Sequence, residues 1–149
     1  MLKKTCLVAT VALAWPLLAN SQPAPGNTAK TTCDATTLHG VYVYAYTGFT
    51  TSGRITRFAV AGWAIFNGDG TLQGVSTTVT QGQTASQVPY TGTYTVNSNC
   101  IVAETDTDQN GNVTHYDDFT APDGNKISFV ETDPNVVSSG SETRQSEVQ

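Results

Sequence analysis

Residues 55–80, ITRFAVAGWAIFNGDGTLQGVSTTVT, read as two extended segments joined by a turn. Residues 55–66 are rich in β-branched and aromatic types, with apolar side chains on both faces of a period-two repeat, which predicts a strand covered by protein on each side. Asn67-Gly68-Asp69-Gly70 supplies the tolerance of positive φ that a tight hairpin needs. Residues 71–80 continue as a Thr/Val strand. Segments linked this briefly must run antiparallel, because a parallel crossover takes about a dozen residues or more.

The same pattern extends in both directions. Upstream, residues 38–47 (LHGVYVYAYT) place Tyr42, Tyr44 and Tyr46 on one face and Val41, Val43 and Ala45 on the other. Downstream, strands are expected over residues 88–96, 100–105, 113–120, 126–132 and 136–144. Pro89 falls near the start of the first of these, where a missing N–H does least harm. Between them stand Gln81-Gly82-Gln83, Asn97-Ser98-Asn99, Gln109-Asn110-Gly111-Asn112, Pro122-Asp123-Gly124-Asn125 and Asp133-Pro134-Asn135, all turn chemistry. The predicted fold is therefore all-β, an antiparallel up-and-down barrel of about eight strands, because closure removes the two edges of a meander. A two-sheet β-sandwich is the alternative. Eight strands enclose an interior that side chains fill or that holds one small ligand.

Flanking segments set the compartment. Residues 1–21 have the build of a secretory signal peptide: Lys3-Lys4, an apolar run from Leu7 to Ala19, then small residues at Ala19 and Ser21. Cleavage is expected after Ser21, with Ala24 as a later option. The apolar run falls short of the ~20 residues that span hydrocarbon, and Pro16 interrupts it, so no membrane span is expected after cleavage. Cys6 leaves with this leader. Residues 22–32 (QPAPGNTAKTT) read as a flexible linker, residues 33–144 as the barrel domain and residues 145–149 as a polar tail. An exported protein, periplasmic or secreted, oxidises its thiols, and the remaining pair, Cys33 and Cys100, reads as one disulfide contributing on the order of 4 kcal/mol. A metal would need further ligands, and His39 and His115 are the only histidines, so no metal and no cofactor is expected.

The chain has 149 residues, one domain's worth, and a formal net charge of −5. Losing Lys3 and Lys4 makes the remainder more acidic still. Nucleic acid and anionic membrane surfaces, which attract basic patches, are excluded as partners.

An ordered set of motifs runs through the domain: Leu38-x-Gly40-x-Tyr42-x-Tyr44; Gly62-x-x-x-Phe66-Asn67-Gly68-x-Gly70-x-x-x-Gly74; Gly92-Thr93-Tyr94-Thr95-Val96-Asn97-x-x-Cys100; and Thr132-Asp133-Pro134-x-Val136-x-x-Gly140-x-x-x-Arg144. Over residues 33–144 this resembles a group of small exported bacterial proteins of unassigned role, with an allene oxide cyclase-like, calycin-type barrel. The resemblance implies a closed barrel with a central cavity. No catalytic set of the allene oxide cyclases has a match in this chain, so no catalytic residue is carried over.

Seven residues are the candidate ligand-binding set: Tyr42, Tyr44, Trp63, Phe66, Tyr94, Phe129 and Arg144, aromatics for an apolar pocket and a guanidinium for orientation. Alternation alone leaves open which face of residues 41–46 looks inward. Arg144 is expected either to hold a carboxylate, from Glu131 or a ligand, or to latch the barrel end. His115 and Asp117 share a strand face, but Asp117-Asp118 reads as a solvated acidic rim. Glu104, Asp106 and Asp108 lead into a turn whose D-x-D-x-N-G spacing resembles half a calcium loop, with an ordinary acidic hairpin as the simpler reading. The functional expectation is an exported protein binding a small, largely apolar molecule in the barrel. Two alternatives stand beside it: a cyclase or isomerase acting through a shaped cavity, and an envelope structural or interaction protein with a filled barrel.

Overall fold

Eight antiparallel strands follow one another round a closed barrel, β1 His39–Thr50, β2 Thr56–Asn67, β3 Thr71–Thr80, β4 Gln83–Val96, β5 Ile101–Asp108, β6 Val113–Thr120, β7 Lys126–Glu131 and β8 Val136–Ser146, and β8 pairs back onto β1. This is the predicted up-and-down barrel, not the sandwich. The computed structural model describes residues 32–147. The expected leader, and all of the expected linker but Thr32, lie outside them. The last strand runs to Ser146, so Gln145 and Ser146 belong to the wall rather than to a tail.

Register decides which face is inside. Tyr42, Tyr44 and Tyr46 point inward, and their neighbours across β1 and β2 are Ala64, Gly62 and Val60. The outer face of β2 was expected to be covered and is not: Ala59, Ala61 and Trp63 lie on the exterior, and Trp63 is 39% exposed. Its apolar character serves cross-strand contact with Val43 and Val75 instead.

The β2–β3 hairpin turns at Gly68 and Gly70, with φ of 80° and 93°, as the NGDG stretch requires. The β3–β4 hairpin is tighter than expected. Gln81 and Gly82 adopt φ of 50° and 77°, and Thr80 pairs directly with Gln83, so β4 begins five residues before Val88. A register shift between Ser76 and Thr78 absorbs Gln87, at φ 54°, whose N–H donates to Thr77 Oγ1 at 3.1 Å. Pro89 consequently sits inside the strand, opposite Val75 and next to the bulge that tolerates it.

One end of the barrel is plugged. The 3₁₀ turn η1, Ala35–Thr37, is capped by Asp34, which accepts from Thr36 N–H at 2.9 Å, and the Cys33–Cys100 disulfide ties it to the start of β5. Beneath it Leu38, Tyr42, Phe66, Tyr94, Val102 and Ile127 form the buried apolar core. Phe66 meets Tyr42 and Tyr94 edge to face, with ring centroids 5.0 and 5.1 Å apart. The opposite end carries the loops 51–55, 81–82, 109–112 and 132–135 and is open.

Candidate functional site

Above that core the inner wall changes character. β5 alternates Val102, Glu104 and Asp106 on its inner face, β6 supplies Tyr116 and Asp118, and β8 supplies Glu142. Together with Tyr44, Tyr46, Tyr90 and Phe129 they line a small inner pocket of about 20 Å³. A wider cavity of about 340 Å³ leads from it towards the open end, and Tyr44, Tyr46, Tyr90, Asp106 and Tyr116 belong to the lining of both. The mouth of this cavity is set by Ser76, Thr78, Ala85, Val88, Asp108 and Asn110. Among the described residues no Lys, Arg or His lines either space.

Glycines make the room. A Cβ at Gly62 would meet the Tyr44 ring, one at Gly74 the Tyr90 ring, and one at Gly92 the Asp106 carboxyl. Large inward side chains on one strand therefore face bare backbone on the next, which is how an eight-stranded barrel holds four tyrosines without filling solid. The tyrosines pair through their hydroxyls. Tyr46 Oη and Tyr116 Oη are 3.1 Å apart, and Tyr44 bonds Tyr90. Phe129 stands between Tyr46 and Tyr116, its ring centroid 5.2 and 5.6 Å from theirs.

The carboxyls are the unusual feature. Glu104, Asp118 and Glu142 retain only 7%, 2% and 7% of their surface. Burial, reinforced by the mutual proximity of these acids, pushes Glu104 and Glu142 well above the usual carboxylate range. Burial also raises Asp106 and Asp118 to about 7, opposed by hydrogen bonds from Glu104. Glu104 thus sits between the two aspartates, within hydrogen-bonding reach of each. Asp106 Oδ1, Asp118 Oδ2 and Glu142 Oε2 are buried with no hydrogen-bond partner among the described residues. Burial likewise raises Tyr46 to about 12, and Tyr44, Tyr90 and Tyr116 rise with it, so the hydroxyls stay protonated. Among the described residues no group of three or more His, Cys, Asp or Glu is arranged to hold a metal ion.

The seven residues singled out from sequence are divided by the fold. Tyr44 and Phe129 line the inner pocket. Tyr42, Phe66 and Tyr94 lie below it in the plugged end. Tyr42 Oη donates to Gly124 O at 2.6 Å, while Tyr94 Oη accepts from Gly68 N–H at 3.0 Å and reaches Leu38 O at 2.9 Å. Trp63 is on the outside wall.

Arg144 latches the plugged end. Its Nη2 donates to Thr37 O and Asp123 O at 3.0 Å each, its Nε to Tyr42 Oη at 3.1 Å, and its Nη1 pairs with Glu147 at 2.9 Å. Gly124, at φ 61°, leaves the gap through which this guanidinium passes; a Cβ there would collide with Thr37 O. Glu131 is not its partner, because β7 and β8 run antiparallel and place Glu131 near the open end, where Ser138 Oγ donates to it at 2.9 Å.

One further expectation needs correction. Asp118 is not on a solvated rim: its parity with Tyr116 turns it into the barrel, while Asp117 faces out. His115 shares the outer face with Asp117, as expected, and its Nδ1 lies 2.8 Å from Asp133 Oδ1. Of the acidic run, Asp108 alone makes the turn, accepting from Asn110 and Asn112 N–H. Sequence reading did not place Asp118, Glu142, Tyr90 and Tyr116 at the site, and Glu104 and Asp106, read as part of an acidic turn, face the barrel interior instead. Glu104 and Asp106 share parity with Val102, Asp118 with Tyr116, Glu142 with Arg144 and Tyr90 with Tyr94, a signal usable only once the barrel register is known.

These features define a class: a closed antiparallel barrel, stapled at one end and open to an acidic, tyrosine-lined cavity at the other. In comparisons with known proteins, no family model, no curated protein and no solved structure matches the chain. Among the described residues no helix is long and apolar enough to cross a membrane.

Proposed function

We propose that this protein is an exported small-molecule-binding protein that takes its ligand through the open end of the barrel. The observation that carries this reading is the cavity of about 340 Å³, within the range of ligand sites and lined by aromatic rings with a few convergent polar groups. The Cys33–Cys100 disulfide supports an oxidising compartment. The ligand's apolar body packs against Tyr44, Tyr46, Tyr90 and Tyr116, and its polar groups meet the carboxyls beneath. Kinship with the allene oxide cyclase-like proteins belongs to the same proposal, supported by the motif order and the calycin-like barrel together.

Native mass spectrometry of the protein purified from its host tests this directly. A co-purifying small molecule at one per chain is the expected result. Repeated recovery of empty protein, together with no thermal shift against a broad panel of small molecules, would overturn it.

A second reading follows from Asp106 and Asp118 being held at about 7 beside hydroxyl donors: a cyclase or isomerase using them as acid and base. Chemical change of the co-purified molecule by wild-type protein, lost in Asp106→Asn, would favour it over plain binding.

A further inference from the structure

The inner pocket poses a chemical question that the proposed binding function leaves open. Four carboxyl side chains, Glu104 and Asp106 on β5, Asp118 on β6 and Glu142 on β8, converge on a space with no basic side chain in its lining. Acidic groups buried together are costly unless protons or cations neutralise them. Arg144 is the nearest basic residue along β8, and its donors are engaged with Thr37, Asp123, Tyr42 and Glu147. Asp118 and Glu142 are more than nine-tenths buried, and each keeps an oxygen without a protein partner at the pocket. These oxygens keep hydrogen-bonding capacity that the described residues leave unused.

Size and shape narrow the donor. The inner pocket of about 20 Å³ admits one water-sized group, the size of an ammonium head. The wider cavity above it, shared through Tyr44, Tyr46, Tyr90 and Tyr116, has room for the body of a small organic molecule. Tyrosine rings attract organic cations through their π faces. The pocket is lined by aromatic rings as well as carboxyls, which suits an organic cation better than a bare metal ion.

We infer that the ligand is a small organic amine, bound with its ammonium group in the inner pocket against Asp106, Asp118 and Glu142 and its apolar body among the four tyrosines. This rests on the proposed binding function and specifies its ligand class. Binding exchanges charge. In the ligand-free protein burial biases Glu104 and Glu142 towards their neutral forms, and Asp106 and Asp118 are raised to about 7. The other titratable groups facing the cluster and its cavity are Tyr44 and Tyr46 on β1, Tyr90 on β4 and Tyr116 on β6, with Asp108 on β5 and Glu131 on β7 nearer the mouth; all are neutral or acidic. A bound cation favours the ionised carboxyls, so protons leave as it enters, and affinity rises with pH.

Isothermal titration of the folded protein with phenethylamine and butylamine, beside phenethyl alcohol, butanol and phenylpropionate, tests the assignment. The amines are expected to bind at about pH 8 at least tenfold more tightly than the alcohols, with net proton release seen as a buffer-dependent heat. Amine affinity should fall about tenfold per pH unit for each linked proton on acidification towards about pH 6. Glu142→Gln and Asp106→Asn, checked for an intact fold by circular dichroism, should each lower amine affinity at least tenfold and reduce the proton release, whereas Trp63→Ala, on the outer wall, should leave amine binding unchanged.

Alcohols or phenylpropionate binding as well as the amines, without pH dependence, would overturn the cation while leaving the binding function standing. So would a neutral or anionic co-purified molecule, or calcium binding in place of the amines. Empty protein that takes no member of the panel would remove both.

Discussion

At the plugged end of the barrel, Tyr42 and Tyr94 turn their hydroxyls onto Gly124 O and Leu38 O and pack their rings on Phe66. Towards the mouth, Tyr44, Tyr46, Tyr90 and Tyr116 bond only one another among side chains and share their space with carboxyls that keep unpartnered oxygens. The same residue type on the same strands thus does two jobs. Where every polar atom is satisfied inside the protein, the tyrosines act as core. Where polar atoms are left over beside open volume, the wall is ready for something else. The difference teaches that pockets in a small barrel are marked by unsatisfied chemistry rather than by aromatic content.

The comparison can be broken most forcefully from the plugged end. Phe66→Ala removes a fully buried ring held between two tyrosines and should cost about 3–5 kcal/mol by urea or guanidinium denaturation. A loss below about 1 kcal/mol would mean that this end is not the stabilising one.

The open half should behave with the opposite sign. Asp106 and Asp118 have native-state values raised to about 7, so the folded protein binds protons that the unfolded chain releases. Their contribution is therefore complete below about pH 4 and is lost as pH rises to about 7. Ligand-free protein should lose stability across that interval, and Asp118→Asn should recover about 2–4 kcal/mol of it at about pH 8 while changing little near pH 4. Denaturation midpoints measured against pH would show this, and a flat profile in the wild type would contradict the buried acid cluster.

The smallest effect belongs to the exterior. Trp63→Ala should cost no more than about 1 kcal/mol and leave the titrations with amines unchanged, because the ring lies outside the wall. A change in ligand affinity would show that the inner and outer faces are coupled.

Strand number, the NGDG hairpin, the antiparallel order and the Cys33–Cys100 bridge were all determined by the chain itself. They depend on local rules: period-two alternation, positive φ at turn glycines, short links that permit only antiparallel neighbours, and two cysteines with no other partner once the expected leader is gone. The length of β4 and the direction of the β2 outer face were not, because a bulge at Gln87 and the closing of β8 onto β1 are properties of paired strands.

The site was the least readable part. Glu104, Asp118 and Glu142 look like surface residues in a linear chain, since acidic side chains are seldom buried. Closure fixes one register for all eight strands at once, and a shift of one residue in any of them would send its carboxyl outside. Composition could announce an acidic protein; only the barrel could gather four of those acids around one small space and take water away from them.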